Sequence, residues 1–487
     1  MPIVSVARDK LFAALGKDYS EDEFQALCFD YGIELDDVTT AEEVQRKQQH
    51  QEASASTAQE EEILYKIDIP ANRYDMLCLE GIARALNIFL GRLQPVHYTV
   101  TDVTGRQLER MIVRPETALV RPFVVCAVLR GITFDQHSYK GFIDLQDKLH
   151  QNLCRQRSLV SIGTHDLSTI QGPFTYEALP PELINFVPLK QTREFDARSL
   201  MQHYMEHDLR LRRFIPIIES SHVWPVVLDA NRTVLSLPPI INGAHSAMSQ
   251  HTRDVFIEVT ATDLTKAQTV LATLTTMFSE HCAEPFHIEP VEVVDVFGHS
   301  HVYPDLSSWP MEVSVEYINS CTGLELEAQQ IAQLLSRMAL SAEPNDGGAT
   351  VRVEVPPTRS DVLHACDVME DVAIAHGYNN VPKRLPPAAT LGGEQPLNQL
   401  TDLLRLECAM AGFTEILTWA LCSRAENWGH LLLQEDRHGA VGIGNPATAE
   451  FEVCRTSLIA GMLKTMGASK DAPLPVLGVP LGGAPCR

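Results

Sequence analysis

The chain's eleven cysteines include no CxxC pair and lie scattered singly from Cys28 to Cys486. That pattern argues against a structural zinc site and a disulfide framework, and it fits reduced thiols. Long apolar runs are also missing. No stretch approaches the roughly 18 residues that a membrane-spanning helix needs, and the opening MPIVSVARDKLFAALG lacks a secretory apolar core with its cleavage site. A cytoplasmic protein with no membrane contact is the expectation. Positive charge is scarce, since 39 Lys and Arg stand against 63 Asp and Glu, for a formal net charge of −24. Such a chain is a poor candidate for gripping nucleic acid over its whole surface by counterion release. RNA contact must then be local or be supplied by a partner. The two basic regions, Arg106 to Arg130 and Arg210 to Arg213, read first as solvated faces. Residues 40–62 hold almost no large apolar side chain and read as a flexible insertion, because such a stretch cannot repay its ordering entropy.

What is present fits an ordinary multidomain protein. The 487 residues are 45% hydrophobic and 21% charged, enough for about three domains with real cores. Near the N-terminus the pattern predicts two helices. Ser5 is placed to cap the first and Gly16 to end it, while Ser20 and Glu23 make a capping box for the second. ILYKIDIP then marks a strand and LEGIARALNIF a helix. From residue 116 onward, VRPFVVCAVLRGITF and SLVSIGTHDL read as strands around an amphipathic helix over 136–157. HVWPVVLDANRTVLSLPP reads as a hairpin turning at Asp229–Asn231. DVFIEVTATDL is a further strand, with Asp263 placed to cap the helix that follows. Thr164, His165 and Asp166 invite a catalytic reading, but without a nucleophile and partner base they read first as a turn held by local hydrogen bonds.

Residues 351–382, VRVEVPPTRSDVLHACDVMEDVAIAHGYNNVP, organise the rest. Val351, Val353 and Val355 alternate as in a half-buried strand, and a helix is predicted from Asp361 to His376 with Gly377 as its stop. Val362, Ala365, Met369 and Val372 form its apolar stripe, and Asp367, Glu370 and Asp371 share the opposite face. Four carboxylates, counting Asp361, read either as a solvated acidic face with an N-cap or as oxygen ligands for a hard cation such as Mg²⁺. An earlier stretch echoes this one: Arg73, Asp75 and Leu77 match Arg359, Asp361 and Leu363 in spacing. The simplest account is that both loops need a helix cap and a buried leucine.

The string PPTRSDVLHACDVMEDVAIAHGYNN strongly resembles the β subunits of eukaryotic and archaeal phenylalanine–tRNA ligases, and the resemblance runs from Met1 to about Pro475. It implies that Asp361, Asp367, Glu370 and Asp371 hold Mg²⁺ at the border with an α subunit. LSLPPIINGAHS and FIEVTATDLTKA resemble the family's editing module, which hydrolyses Tyr-tRNA(Phe). The resemblance implies Asp263 as the editing catalyst, with Asn242, His245, Thr164 and His165 lining the substrate pocket. An imperfect phenylalanine sieve makes such a second site chemically useful.

The implied fold class is α+β multidomain. It has an N-terminal α/β module over 1–115, a mixed α/β editing domain over 116–295, a small α+β magnesium-binding domain over 296–385, and an incomplete class II synthetase-like domain over 386–487. GNPATAEFEVCRTSLIAGMLKTM, with Arg455, resembles that last, catalytically silent module. The implied partners are tRNA(Phe) and an α subunit that uses ATP to activate phenylalanine, in an α2β2 assembly. VLGVPLGGAPCR, residues 476–487, departs from the family and raises the expectation of a truncated form. A scaffold that has lost the enzymatic role, or a free-standing trans-editing hydrolase, are the alternatives.

Overall fold

The computed structural model of the chain describes residues 2–40, 62–102, 105, 107–345, 347–385, 388, 392–435, 439–472 and 475–480. The insertion expected at 40–62, apart from its end residues, and most of the atypical tail lie outside the described residues. The chain forms two compact units, residues 1–383 and residues 384–487.

Unit 1 opens with β1 (Ile3–Ala7), α1 (Arg8–Leu15), α2 (Glu21–Tyr31), β2 (Glu34–Thr40), β3 (Ile63–Asp68) and α3 (Leu79–Phe89). The sheet order is β1-β3-β2, antiparallel throughout. Residues 3–7 were expected to lead directly into a helix capped by Ser5, but they form a strand. Val4 and Val6 point inward while Ile3 and Ser5 point out, so the period-2 burial wins over the capping signal. The Ser20–Glu23 capping box is present in both directions, and Gly16 and Gly32 end their helices at φ 68° and 93°, a region that glycine enters without a Cβ penalty.

The large middle module comprises β4 (Thr99–Val100), β5 (Glu109–Val113), β6 (Phe123–Leu129), α4 (Gln136–Gln151), β7 (Val160–Asp166), β8 (Phe174–Leu179), β9 (Asn185–Phe186), β10 (Phe195–Asp196), α5 (Ala197–His207), β11 (Trp224–Leu228), β12 (Val234–Leu237), β13 (Ile241–Asn242), β14 (Val255–Ala261), α6 (Leu264–Phe278), β15 (His287–Val294) and β16 (Ser300–Tyr303). Its main sheet runs β13-β12-β11-β8-β5-β15-β6-β14-β7. The two ends of that path nevertheless meet. Ser236 on β12 donates to Glu258 on β14 at 2.6 Å, and Asn242 on β13 donates to the Thr164 carbonyl on β7 at 3.3 Å. The sheet therefore curls until its edges face each other across a seam, as twist and tilt allow in barrel-like sheets. One face buries Val255, Ile257 and Val259 under α4 and α6, and the other packs Phe256 with Phe174, Cys126 and Val128. A side lobe built on α5 has its own core of Phe186, Leu200, Phe214 and Ile240.

The small α+β module has β17 (Trp309–Ser314), α7 (Val315–Thr322), α8 (Ala328–Ser336), β18 (Ser341–Pro344), β19 (Thr350–Val355) and α9 (Ala365–His376), with sheet order β17-β19-β18. Val351, Val353 and Val355 are fully buried, as their alternation predicts. The acidic helix starts at Ala365 rather than Asp361. His364 is its N-cap, and Asp367 reaches back to the backbone N–H of Leu363 and of His364, both at 2.8 Å.

Unit 2 holds α10 (Pro396–Met410), β20 (Thr414–Glu415), β21 (Leu421–Cys422), β22 (Val453–Cys454), α11 (Ile459–Ala468) and β23 (Gly478–Val479). β20 pairs in parallel with β23, so the first residues of the atypical tail join a short sheet.

Candidate functional site

A cavity of about 260 Å³ opens along the seam of the curled sheet. β7 is the edge strand there, and an edge strand exposes unpaired backbone groups that need partners. Here side chains supply them. His150 on α4 accepts the Ile162 N–H at 2.9 Å through Nε2, and the Asn242 amide caps the Thr164 carbonyl. Because a backbone N–H can only donate, Nε2 of His150 carries no proton and Nδ1 does. Burial, then the charges of Arg157 and Arg121, push this imidazole well below its ordinary pKa, so it is a neutral donor.

Glu258 lies at the centre of the site. Every residue of β14 is buried, and a glutamate in that strand demands partners. Its Oε1 accepts from Ser236, and His165 Nε2 stands 3.8 Å away. His165, itself fully buried, bonds Ser246 Oγ through Nδ1 at 2.9 Å. Gly163 faces Glu258 across the strand pair, and a Cβ built on Gly163 would lie 2.1 Å from the carboxyl oxygen. Only glycine lets the carboxyl group lie flat over β7.

The network is left half-satisfied. Glu258 Oε2, Gln146 Nε2, His150 Nδ1 and His165 Nε2 are all buried without a hydrogen-bond partner, and Glu258, Gln146 and His150 line the cavity. Buried polar groups without partners are uncommon in native proteins and ask for an explanation. A bound ligand with complementary groups provides one.

The structure places the expected pocket residues unevenly. Thr164 and Asn242 line the cavity, and His165 is one step behind it through Glu258. His245 stands exposed on the following loop and does not line it. Asp263 does not line the cavity. It caps α6, accepting the Lys266 N–H at 3.1 Å and pairing with Lys266 Nζ at 2.9 Å. The hydrogen bond from the Lys266 backbone holds it below the ordinary carboxylate range. The buried carboxyl group that lines the cavity is Glu258, five residues earlier. Its signal in the sequence was a lone acid inside the otherwise apolar and threonine run VFIEVTA. Asp166 behaves as local hydrogen bonding predicts, capping the Ser168 N–H at 3.0 Å and accepting from Thr252 at 2.7 Å.

The four carboxylates expected to bind magnesium are not gathered either. Arg359, almost fully buried, grips Asp361 in bidentate fashion at 3.0 and 2.8 Å, and also donates to Asp371 at 2.7 Å and to the Met338 carbonyl at 2.6 Å. Burial pushes Asp361 up, but Arg359 holds it below the ordinary range; burial raises Asp371. Asp367 is used in the helix cap, and Glu370 is exposed. As arranged, this set does not fit a cation, because two of its members already neutralise an arginine. Among the described residues, the one group of His, Cys, Asp or Glu with ligating atoms within 4.8 Å of one another is Glu80, Glu280 and His281.

The echoed loop has the same construction. Arg73 pairs with Asp75 at 2.9 and 2.8 Å and donates to the Tyr31 hydroxyl at 2.9 Å. Leu77 is buried but Leu363 is 74% exposed. The shared motif therefore serves a buried Arg–Asp fork rather than a cap and a leucine.

Comparison with known proteins gives the family. Residues 1–92 match the family described as Phe-tRNA synthetase beta subunit B1 domain, 129–283 the B3/4 domain, 311–378 the tRNA synthetase B5 domain, and 381–477 the phenylalanyl tRNA synthetase beta chain CLM domain. The cytoplasmic phenylalanine–tRNA ligase beta subunit of Arabidopsis thaliana is 55% identical over 98% of this chain and 79% of its own length. The human phenylalanine–tRNA ligase beta subunit is 48% identical over 98% of this chain and 80% of its own. A crystal structure of an N-terminal fragment of the phenylalanyl-tRNA synthetase β subunit from Pyrococcus horikoshii superposes with a TM-score of 0.67 at 28% identity, covering 77% of this chain and 99% of that one.

Proposed function

The chain belongs to the phenylalanine–tRNA ligase β-subunit family of eukaryotic type, and from that premise we propose that the seam cavity is its editing site for Tyr-tRNA(Phe). The family makes it a subunit of an aminoacyl-tRNA ligase that works with an α subunit and tRNA. The observation that carries the editing reading is Glu258 Oε2, buried at the cavity without a partner. A tyrosine side chain entering the cavity donates its phenolic O–H to that oxygen. Phenylalanine has no such group and leaves the carboxyl group unpaired. A buried acceptor left unsatisfied costs about 1–3 kcal/mol, roughly five- to 150-fold in discrimination, and a site built around a substrate hydroxyl rejects the analogue lacking it. Thr164 and Asn242 border the same space and orient the ester, while Ser236 holds Glu258 in place. Ser246, which bonds His165, is fully buried and does not line the cavity, and Ser236 is spent on Glu258, so hydrolysis proceeds by positioning water against the ester carbonyl.

In this reading Asp263 and His245 support the fold and loop rather than the reaction. ATP and magnesium serve phenylalanine activation on the α subunit, within an α2β2 assembly in the cytoplasm. The C-terminal unit, which we read as class II synthetase-like, docks that subunit. The acidic helix offers Asp367 and Glu370 to that border, with Asp361 and Asp371 retained by Arg359. The test is Glu258→Ala in the assembled ligase. Tyr-tRNA(Phe) deacylation is expected to fall toward the level for Phe-tRNA(Phe), while phenylalanine charging persists. An unchanged preference for the tyrosyl ester would sink the assignment.

A further inference from the structure

The mouth of the cavity is ringed by cations that the editing chemistry leaves unused. Arg157 and Lys190 line the cavity itself. The Arg157 guanidinium stacks over the Phe214 ring at 4.5 Å, and Arg213 stacks over the same ring at 4.7 Å. Arg155 stands exposed two residues before Arg157, and Lys190 and Arg213 are exposed as well. Among the described residues none of these four has a carboxylate within ion-pair distance, whereas Arg198 in the same lobe is paired with Glu182. Asp147, also on the cavity wall, is the acid whose charge reaches Arg157 most strongly. In a chain of net charge −24, a ring of unpaired cations at one opening is not the average surface.

The backbone that presents them is strained. Arg155, Gln156 and Arg157 occupy the left-handed region in succession, at φ 45°, 52° and 66°. Residues with a Cβ rarely do this, and such strain persists only where the surroundings over-determine it, typically at functional sites. Here they do. Arg121, fully buried, donates from below to the carbonyls of Arg157, Ser158 and Thr260 at 3.2, 3.1 and 2.9 Å. Ser158 Oγ donates to the Arg155 carbonyl at 2.7 Å, and Arg157 bonds the carbonyls of Pro239 and Ile240 at 3.3 and 3.1 Å. The turn is locked to the cavity wall through Arg157, with Arg155 exposed two residues before it.

We propose that Arg155, Arg157, Lys190 and Arg213 form a phosphate-binding rim that takes the single-stranded 3′ end of tRNA and delivers its aminoacylated terminus into the cavity. This rests on the reading of the cavity as the editing site. An acidic protein repels a polyanion at long range, so a short array of uncompensated cations at the entrance is what local capture requires.

The test compares two esters in the assembled ligase, Tyr-tRNA(Phe) and the small ester 3′-O-tyrosyl-adenosine, using the double variant R155Q/R213Q. Neither residue lines the cavity, and the substitutions leave the Arg155 carbonyl that Ser158 braces in place. For Tyr-tRNA(Phe), kcat/KM is expected to fall about tenfold at moderate salt, through KM. The slope of log kcat/KM against log salt should flatten by about 1.4, at roughly 0.7 per phosphate contact on a single strand. Hydrolysis of the small ester and phenylalanine charging should be unchanged. A wild-type KM and salt slope with tRNA would overturn the rim, and so would an equal loss on both esters, which would mean that the residues only shape the cavity. If the unmodified ligase hydrolyses neither ester, the editing reading itself falls and the rim with it.

Discussion

A single missing side chain makes room for the carboxyl group of Glu258. Gly163 leaves β7 bare where the Glu258 carboxyl group crosses it, and a methyl group there would lie 2.1 Å from Oε1 and 2.7 Å from the carboxyl carbon. Gly163→Ala should therefore push Glu258 off its seat without touching the substrate. We expect the preference for Tyr-tRNA(Phe) over Phe-tRNA(Phe) to drop by about tenfold or more, equivalent to losing one buried hydrogen bond of roughly 1–3 kcal/mol. Deacylation of both esters by the variant decides it, and an unchanged ratio would show that the carboxyl group is held by Ser236 alone. His150 makes a second prediction at this scale. Its folded pKa lies well below 6.5, so the stability it contributes is present above pH 6.5 and is lost as pH falls, by up to about 1.4 kcal/mol per unit. His150→Gln keeps an acceptor for the Ile162 N–H and has no proton to gain. Urea unfolding from pH 7 to pH 5 should show a flatter loss for the variant than for the parent chain.

Helices and strands were more legible than the bonds between them. The alternation in Val351–Val355 and the apolar stripe of α9 gave their elements directly, because local burial sets both periods. The start of α9 was misjudged by four residues. Asp361 looked like a cap in sequence, but Arg359 claims it, and nothing in the spacing says that an arginine two residues away turns inward rather than outward. Glu258 was not legible in the sequence for a similar reason: a cap such as Asp263 is a local pattern, whereas a buried glutamate finds its serine 22 residues away through the curl of the sheet. The Arg359 fork now predicts its own energetics. Arg359→Ala leaves Asp361 and Asp371 buried without a counter-charge, and breaking such a pair costs about 3–5 kcal/mol. Chemical denaturation should show that loss, and added Mg²⁺ should not restore it; restoration by Mg²⁺ would return these carboxylates to the role of metal ligands. The joint between α3 and the end of α6 titrates with the opposite sign to His150. Burial disfavours a charged His281, but its bond to Glu80 at 3.1 Å and the charge of Glu280 raise its pKa above 6.5. Its stabilising contribution is thus full below pH 6.5 and fades as pH rises through the folded value. His281→Gln should be destabilising at pH 6 and nearly neutral at pH 9, and a constant deficit across that range would mean simple packing.

For the whole molecule, composition had already set the terms: in a chain of net charge −24, any RNA contact must be local or be supplied by a partner. The curled sheet places the seam cavity in unit 1, with Arg157 and Lys190 in its lining. Unit 2 presents a different surface. No residue of α10 is buried, and Leu397, Leu403, Leu406 and Met410 are between 61% and 82% exposed. An apolar helix face of that extent marks an interaction surface, and under the proposed function its occupant is the α subunit. Covering a leucine gives about 1.5–3 kcal/mol, so the triple variant L403Q/L406Q/M410Q should weaken assembly by roughly a thousandfold or more. Co-expression with a matching α subunit followed by size-exclusion chromatography reads this out. Loss of the complex, with the thermal stability of the separate chain retained, is the expected result. Normal assembly would mean that α10 faces something other than the α subunit, and that docking relies on another surface of unit 2 or on unit 1.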